Sequence, residues 1–337
     1  MNGNRHSSRA GVWCLLLIVT IVLAPLMGSC APKPRVYRVG ILSGLERIAA
    51  ITDGFKAGMA ELGYVEGENI VYDVQRTDFD IAKYQSILQK FIADDVDLIF
   101  VFPTDASIEA KAATAETDIP VLFAWAVIEG NSLVESVRQP GGNITGVRYP
   151  GPEIAIRRFE IMHELAPQAK RILIPYQRGY PTVGPELEAL RPVAEAAGVT
   201  LIEAPADNAA ELDTILRAQA EGDDIGLDAI LAVPETLSLT PDAFAVMARF
   251  AYEHKLPIGG ALMEAEGYKS VFGVTTTPYV SGKQAAPLAD KILRGTPAGT
   301  IPVVSAETFF QLNYTAAQEL GLTVSEGLLG QADEVIR

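Results

Sequence analysis

Cysteine and histidine are scarce in this chain, which holds two cysteines and three histidines in 337 residues. Cys14 lies in an apolar N-terminal stretch that we expect to be removed, so Cys30 would be the only thiol left and no disulfide could form within the chain. His163 and His254 stand alone in predicted helices, which fits neither a metal site nor a histidine base beside a nucleophile. The chain also lacks a G-x-S-x-G elbow, a P-loop and a G-x-G-x-x-G motif. These absences argue against an enzyme, and we expect no cofactor and no metal.

A basic cluster is missing as well. Lysine and arginine number 27 against 42 aspartates and glutamates, a formal net charge of −15. Loss of Arg5 and Arg9 with the N-terminal stretch leaves 25 basic residues against 42 acidic ones, or −17. A surface this acidic repels phosphate groups, so nucleic acid and anionic lipid are not expected as partners.

The N-terminus predicts export. Two arginines precede the almost wholly apolar run Gly11–Met27, and small residues follow it, which is the pattern of a secretory signal peptide over residues 1–29. The run of 17 residues is short for a membrane span, although a retained signal anchor is the alternative. The ending Gly28-Ser29-Cys30 resembles a bacterial lipobox, with Met27 where leucine is usual, and this implies a lipid on Cys30. Residues 30–35 would form a tether, and the protein would be anchored by lipid alone to the cell membrane, facing the periplasm or the cell exterior.

From residue 36 onward, apolar runs typical of buried strands alternate with amphipathic helical patterns. One example is strand Leu98–Phe102, which helix Ala106–Glu116 follows. This alternation predicts βαβ units and parallel sheets. The segments DDVDLIFVFPTDAS (94–107) and IGLDAILAVPETLS (225–238) share an acid, an apolar run, a proline and a polar helix start. Together with the chain length, this repeat predicts an α/β fold of two open, doubly wound parallel-sheet lobes joined by a hinge.

We expect the two lobes to exchange segments of the chain. The first lobe would contain residues 36–146 and about 278–304, and the second residues 147–277 and about 305–337. The segments GGNITGVR (141–148) and GVTTTPYV (273–280) are the candidate hinges. A ligand that touches both lobes would favour the closed state, because only differential affinity shifts a conformational equilibrium.

Several phrases along the chain resemble a known family. They are FKAGMAELGYVEGENIVYDV, DDVDLIFVFPTDAS, PGGNITGV, DKILRGTPAGTIPV and the ending ELGLTVSEGLLGQADEVIR. From Tyr37 to Arg337 the chain resembles ABC transporter substrate-binding proteins of the tryptophan-binding TrpX type. The resemblance implies the type I periplasmic binding protein fold, a Venus-flytrap pair of lobes, with an ABC permease and its ATPase as partners. Members bind different small molecules, and the segments that differ most here should face the ligand: SGLERIA, FAWAVIEG, PYQRGYPTV and GALMEAEGYKS.

Ligands of open α/β sheets bind outside the carboxyl ends of the strands, and this rule selects candidate residues without any family knowledge. In the first lobe the candidates are Ser43, Gly44, Thr104, Asp105, Ala106, Ser107, Ala124 and Trp125. In the second lobe they are Tyr176, Arg178, Tyr180, Glu235, Thr236 and Glu264.

Several of the first-lobe candidates have a structural alternative. Residues 104–107 open a predicted helix whose free N–H groups suit a carboxylate, but Thr104 or Asp105 could simply cap that helix. Gly44 could let a ligand approach the backbone or could only serve its turn. Trp125 could face the cleft or fill the space under its loop.

The second-lobe candidates include, beside Thr236, a cluster of two tyrosines with an arginine and two acidic residues. Tyr176, Arg178 and Tyr180 crowd a stretch without aliphatic side chains, which predicts a cleft wall where tyrosines stack on a ligand and Arg178 pairs with an anion. Glu235 and Glu264 are candidate partners for an amine, with plain surface acids as the alternative.

The leading function is therefore the capture of a small molecule, an amino acid or a similar compound with aromatic ones included, by a monomer that serves an ABC importer. The alternative is a ligand sensor of the same fold that acts on a receptor kinase or chemoreceptor. A repressor of this architecture would need a helix-turn-helix ahead of residue 36, where the chain has a signal peptide instead.

Overall fold

The computed structural model describes residue 3 and residues 35–77, 80–221 and 224–337. Apart from residue 3, the predicted signal peptide lies outside the described residues, and so do Cys30 and most of the predicted tether. Within the described part, no helix combines the length and the apolar character needed to cross a membrane.

The first half of the described chain alternates strands and helices as the sequence predicts. Its elements are β1 (Tyr37–Ser43), α1 (Ala50–Glu61), β2 (Ile70–Arg76), α2 (Tyr84–Ala93), β3 (Leu98–Phe102), α3 (Thr104–Ala113), β4 (Val121–Ala126) and β5 (Ile144–Arg148). The strands form a parallel sheet in the order β5-β4-β3-β1-β2. All five residues of β3 are buried, which explains why its sequence is an uninterrupted apolar run.

The second half repeats the alternation and ends in smaller elements. Its elements are α4 (Gly151–Leu165), β6 (Arg171–Gln177), α5 (Val183–Ala196), β7 (Thr200–Ala206), α6 (Ala209–Gln219), β8 (Ala229–Leu231), α7 (Pro241–His254), β9 (Ile258–Gly260), β10 (Glu264–Ala265), β11 (Tyr268–Lys269), β12 (Phe272–Thr276), α8 (Pro278–Leu293), β13 (Val304–Ser305), β14 (Thr308–Asn313), α9 (Tyr314–Glu319), α10 (Glu326–Gln331) and β15 (Glu334–Ile336). Strand β13 pairs in parallel with β5 and becomes the sixth strand of the first sheet. A second sheet has the order β15-β14-β12-β9-β8-β6-β7, and β10 pairs with β11 in a separate hairpin.

These two sheets confirm the predicted two-lobe α/β fold with one difference. Strand β14 runs antiparallel to β12, so the second sheet is mixed rather than wholly parallel. Strand β14 directly follows β13 of the first sheet, so it is the first strand that the chain forms after it returns to the second lobe.

Helix α8 comes late in the chain but belongs to the core of the first lobe. Its residues from Ala285 to Leu293 pack with α1 and with strands of the first sheet. The two helices approach closely at glycines: a Cβ atom on Gly282 would lie 2.0 Å from the carbonyl oxygen of Ile51, and one on Gly54 would lie 1.9 Å from that of Tyr279. Only glycine permits such backbone contact.

The chain passes between the two sheets at three crossovers. They are residues 148–151 between β5 and α4, 276–278 between β12 and α8, and 305–308 between β13 and β14. The first crossover begins at the last residue of the predicted hinge segment 141–148, and the second lies within the predicted hinge segment 273–280. Because few covalent connections join the lobes, changes at these residues control how the lobes lie relative to each other.

Candidate ligand site

A cavity of about 130 Å³ lies between the two lobes. It is smaller than the roughly 300–1,000 Å³ of pockets for drug-sized ligands, which suits a small metabolite. The first lobe contributes residues from the turn after β1, from the start of α3 and from the segment after β4, and the second lobe contributes the segment before α5. The lining residues are Leu45, Pro103, Thr104, Asp105, Ile108, Val127, Glu129, Gly130, Asn131, Tyr180, Pro181 and Thr182.

The start of α3 forms part of the first-lobe side of the cavity. None of the described side chains caps this helix, so N–H groups of its first turn are available as donors. The hydroxyl of Thr104 does not cap the helix but accepts the N–H of Val127 at 3.0 Å, which ties α3 to the segment after β4. Asp105 is half-buried, and burial raises the pKa of its carboxyl.

The segment after β4 begins at an irregularity of the strand. The register between β4 and β5 shifts at Trp125, whose φ of 52° is unusual for a bulky residue. Such bulges redirect side chains. The Trp125 ring lies 5.1 Å from the ring of Tyr149, between centroids. The following turn is held by Asn131, whose Nδ2 donates to the carbonyl of Val127 at 2.8 Å.

The second-lobe wall is short and apolar. Tyr180 packs partly against the core of the second lobe and also lines the cavity. Pro181 follows, and the hydroxyl of Thr182 donates to the carbonyl of Pro234 at 3.3 Å. The second-lobe side of the cavity therefore presents an aromatic ring and a proline.

The charges of the cavity wall all have one sign. Its lining holds Asp105 and Glu129, and none of the described residues that line it is a lysine, an arginine or a histidine. Leu45, Ile108 and Tyr180 supply the apolar surface. A positively charged group attached to an apolar body complements this arrangement.

The structure distributes the predicted site residues unevenly. Thr104, Asp105 and Tyr180 line the cavity. The other first-lobe candidates lie behind the cavity wall, where Ser43, Gly44, Ala106, Ser107 and Ala124 are buried and Trp125 faces Tyr149. At Gly44 a Cβ atom would meet the Tyr84 hydroxyl at 2.6 Å, so this glycine serves close packing.

The charged second-lobe candidates have partners of their own. Arg178 binds Asp207, at 3.0 Å from its Nε, and also Glu211, so its guanidinium is engaged within its lobe. Glu235 is not a surface acid: it is buried, and its carboxylate accepts the N–H groups of Gln177, Leu237 and Ser238 at 3.0, 2.6 and 2.6 Å.

The remaining second-lobe candidates also lie off the cavity lining. The Tyr176 hydroxyl donates to Glu203 at 3.1 Å, and the Thr236 hydroxyl donates to the side chain of Gln177. Glu264 lies in the β10–β11 hairpin with its side chain 60% exposed, at 3.7 Å from the ammonium of Lys269. The lining of the cavity therefore does not include Tyr176, Thr236, Glu264, Arg178 or Glu235.

Several lining residues were not selected from the sequence. Glu129 and Gly130 lie in FAWAVIEG, and Pro181 and Thr182 lie in PYQRGYPTV, two segments expected to face the ligand. The strand-end rule missed them because the cavity wall continues three to five residues beyond each strand. Leu45 lies in SGLERIA and Val127 in FAWAVIEG, so both fall in segments expected to face the ligand, whereas Pro103, Ile108 and Asn131 carried no chemical signal that could have found them.

Comparison with known proteins agrees with this architecture. The profile of the family described as "ABC transporter substrate binding protein" matches residues 39–336. This chain belongs to that family. Transport rather than sensing is the role in the family description, so the sensor alternative is not favoured, and a small-molecule ligand and ABC transporter partners follow from membership.

Three individual proteins are similar to most of this chain. A tyrosine-binding protein of Clostridioides difficile (strain R20291) is 28% identical over 260 residues, which cover 75% of this chain and 71% of the relative. A conserved domain protein of Vibrio cholerae has a TM-score of 0.72 at 26% identity and covers 89% of this chain and 100% of its own. An ABC domain of Streptococcus pneumonia in complex with L-Trp has a TM-score of 0.69 at 25% identity and covers 88% of this chain and 100% of its own.

Proposed function

We propose that this family member captures an aromatic amino acid, with tyrosine and tryptophan as the first candidates, and delivers it to an ABC importer. The observation that carries the proposal is the interlobe cavity, whose lining holds two carboxylates and no basic residue among the described ones. The relatives that bind tyrosine and tryptophan support the choice of ligand class.

The ligand's ammonium group is assigned to Asp105 and Glu129. Both carboxylates lie in the first-lobe wall, and both are partly shielded from water. A charged hydrogen bond in such a place contributes more than one on the open surface, because the competing solvent is reduced. Burial raises the pKa of the Asp105 carboxyl, and an ammonium group beside it would favour the charged carboxylate.

The ligand's carboxylate and ring are assigned to different parts of the cavity. The first turn of α3 offers backbone N–H groups and the positive end of the helix dipole to the carboxylate. Leu45, Ile108 and Tyr180 surround the remaining space and suit an aromatic ring. Because Tyr180 belongs to the second lobe, a ligand held on the first lobe would favour closure by contact with it.

Calorimetric titration with L-tyrosine, L-tryptophan, L-phenylalanine and L-leucine tests the proposal. We expect at least one aromatic amino acid to bind and to do so more tightly than leucine. Asp105→Asn and Glu129→Gln should each weaken that binding about tenfold to a hundredfold, because a hydrogen bond to a charged group contributes about 1.5–3 kcal/mol.

Glu264→Gln provides the matched control. It removes one exposed carboxylate outside the cavity lining and should leave the dissociation constant unchanged. If Asp105→Asn and Glu129→Gln bound as tightly as the wild type, the ammonium would lie elsewhere. If the chain bound none of the aromatic amino acids, the proposed ligand class would be wrong.

We also infer that the protein acts outside the cytoplasm as a monomer, held at the membrane by a lipid on Cys30 rather than by a spanning segment. The apolar run before Gly28-Ser29-Cys30 supports this inference. We further infer that binding and release involve no covalent chemistry, since a change in lobe position is sufficient for capture and delivery.

A further inference from the structure

Arg148 stands at the first crossover and is nearly removed from solvent. It is the last residue of β5, three residues before α4 begins, and its side chain is 11% exposed. An arginine at such a position keeps its charge, so its cost of burial must be offset by partners. Its partners come from three different parts of the protein.

The guanidinium of Arg148 joins the cleft to the hinge. Its Nη1 donates to Glu129 of the cavity wall, and its Nε donates to the hydroxyl of Ser305 at 2.9 Å, beside the third crossover. Its Nη2 donates to Glu153, in the first turn of α4 of the second lobe, and Nη1 approaches the other oxygen of Glu153 at 3.3 Å.

The ion pair between Arg148 and Glu153 is well formed, although the side chain of Glu153 is exposed. Burial alone would raise the pKa of the Glu153 carboxyl, but hydrogen bonds and the charge of Arg148 lower it below its usual value. The paired carboxylate makes two contacts with one planar guanidinium, an arrangement that fixes orientation as well as distance.

Glu129 is shared between this network and the cavity. One of its carboxylate oxygens accepts Arg148, and the other accepts the N–H of Ile128 at 3.2 Å. Its side chain is nonetheless 27% exposed and lines the cavity, so a ligand cation can reach it. A cation that binds Glu129 would weaken the attraction between Glu129 and Arg148. Because Arg148 also pairs with Glu153 of the other lobe, this change would also affect the contact between Arg148 and Glu153.

We propose that Arg148 is a positioning residue that couples the cleft to the hinge: it orients Glu129 for the ligand and transmits the occupancy of Glu129 to α4 through Glu153. The inference rests on the proposed function, in which Glu129 takes the ligand's ammonium. Glu153 does not line the cavity. Arg148 is the residue that contacts both Glu129 and Glu153, so we expect a dependence of ligand affinity on Glu153 to change with Glu129 and to require Arg148.

A double-mutant cycle in the full chain tests the coupling with the aromatic amino acid that the wild type binds best. The dissociation constant is measured for the wild type, Glu129→Gln, Glu153→Gln and the double variant. We expect the effect of the double variant to differ threefold or more from the product of the single effects, whereas independent sites multiply to within about twofold. Arg148→Met should abolish the coupling, and Arg148→Lys should restore part of it.

Glu160→Gln is the matched control for Glu153→Gln. Glu160 also lies on α4 and also pairs with an arginine, Arg157 at 3.5 Å, but away from the crossover. The same cycle with Glu160 in place of Glu153 should give effects that multiply. Coupling of equal size at Glu160 would reduce the Glu153 result to a general effect on α4 and would overturn the proposal.

Small-angle X-ray scattering of the empty protein separates this inference from the proposed ligand class. If Arg148 holds the lobes, Glu153→Gln should change the radius of gyration of the ligand-free chain and Glu160→Gln should not. A shifted radius in a protein that binds no aromatic amino acid would contradict the proposed function and support the hinge contact. Tight binding by the wild type with multiplicative effects and an unshifted radius would overturn the positioning role.

Discussion

We predict that the buried carboxyl of Glu186 makes the stability of this protein depend on pH. Glu186 lies on α5 and is fully buried, and neither of its oxygens has a hydrogen-bond partner among the described residues. Burial raises its pKa from 4.5 to about 9; the charge of Arg158 and the nearby hydroxyl of Thr182, which donates to the carbonyl of Pro234, lower it, and the charges of Glu235 and Glu129 raise it. Arg158 does not donate to this carboxyl, because its guanidinium donates to the carbonyls of Val274 and Ala232 instead.

The sign of the effect follows from the two protonation states. Between pH 4.5 and about 9 the folded chain holds the proton on Glu186 and the unfolded chain has released it. The unfolded state therefore binds fewer protons, and the free energy of unfolding falls as the pH rises through this range. One proton corresponds to about 1.4 kcal/mol per pH unit, so the loss between pH 6 and pH 8 is roughly 2.7 kcal/mol.

Glu186→Gln should remove this pH dependence, because glutamine is neutral at every pH and has nearly the shape of the protonated acid. Relative to the variant, the wild type should lose about 5 °C in melting temperature between pH 6 and pH 8, at roughly 2 °C per kcal/mol. Scanning calorimetry at pH 6, 7 and 8 measures this difference. Glu188→Gln on the exposed side of the same helix is the control and should follow the wild type. A difference between wild type and Glu186→Gln that stays constant with pH would show that the carboxyl is not protonated in the folded state.

Three further predictions concern single residues. Trp125 packs against Tyr149 beside the first crossover, so binding of the aromatic amino acid should change the emission of Trp125. Trp125→Phe should remove that change without preventing binding. Unchanged emission of the wild type on binding would show that lobe closure does not alter the surroundings of Trp125. Arg178→Ala should leave the dissociation constant within about twofold, because Asp207 and Glu211 already engage Arg178, and a tenfold loss would return it to the ligand site. Cys30→Ser should prevent lipid attachment, which intact-mass analysis of membrane-extracted protein checks; an unmodified Cys30 in the wild type would refute the anchor.

Much of the alternation of strands and helices could be predicted because it is written locally. Strand Leu98–Phe102 has the predicted bounds, and the helix predicted from Ala106 begins two residues earlier, at Thr104. A buried parallel strand needs an apolar run and a helix needs an apolar face, and neither depends on distant residues. The two-lobe fold followed from the repetition of these local patterns.

The late part of the chain could not be assigned in the same way. Helix α8 was not predicted as an element, since its glycine and internal proline weaken the helical pattern. Its stability comes from close contact with α1 across the glycines, a contact between residues more than two hundred positions apart. Strand β5, in the first half of the chain, is likewise predicted only as part of a hinge segment, because its glycine-containing sequence becomes a strand by pairing with β4.

The sequence by itself determined the fold class, the acidic surface and the segments that could face a ligand. Only the tertiary structure decided which polar groups in those segments are available. Glu235 and Arg178 come near strand ends, as a ligand site requires, but other parts of the second lobe already satisfy them. Glu129 is placed by Arg148, 19 residues away, which also reaches Ser305, 157 residues away. The charge of a side chain is a property of its residue, but its partner is a property of the folded chain, because a carboxylate or guanidinium bonds to whatever the fold brings within hydrogen-bond distance.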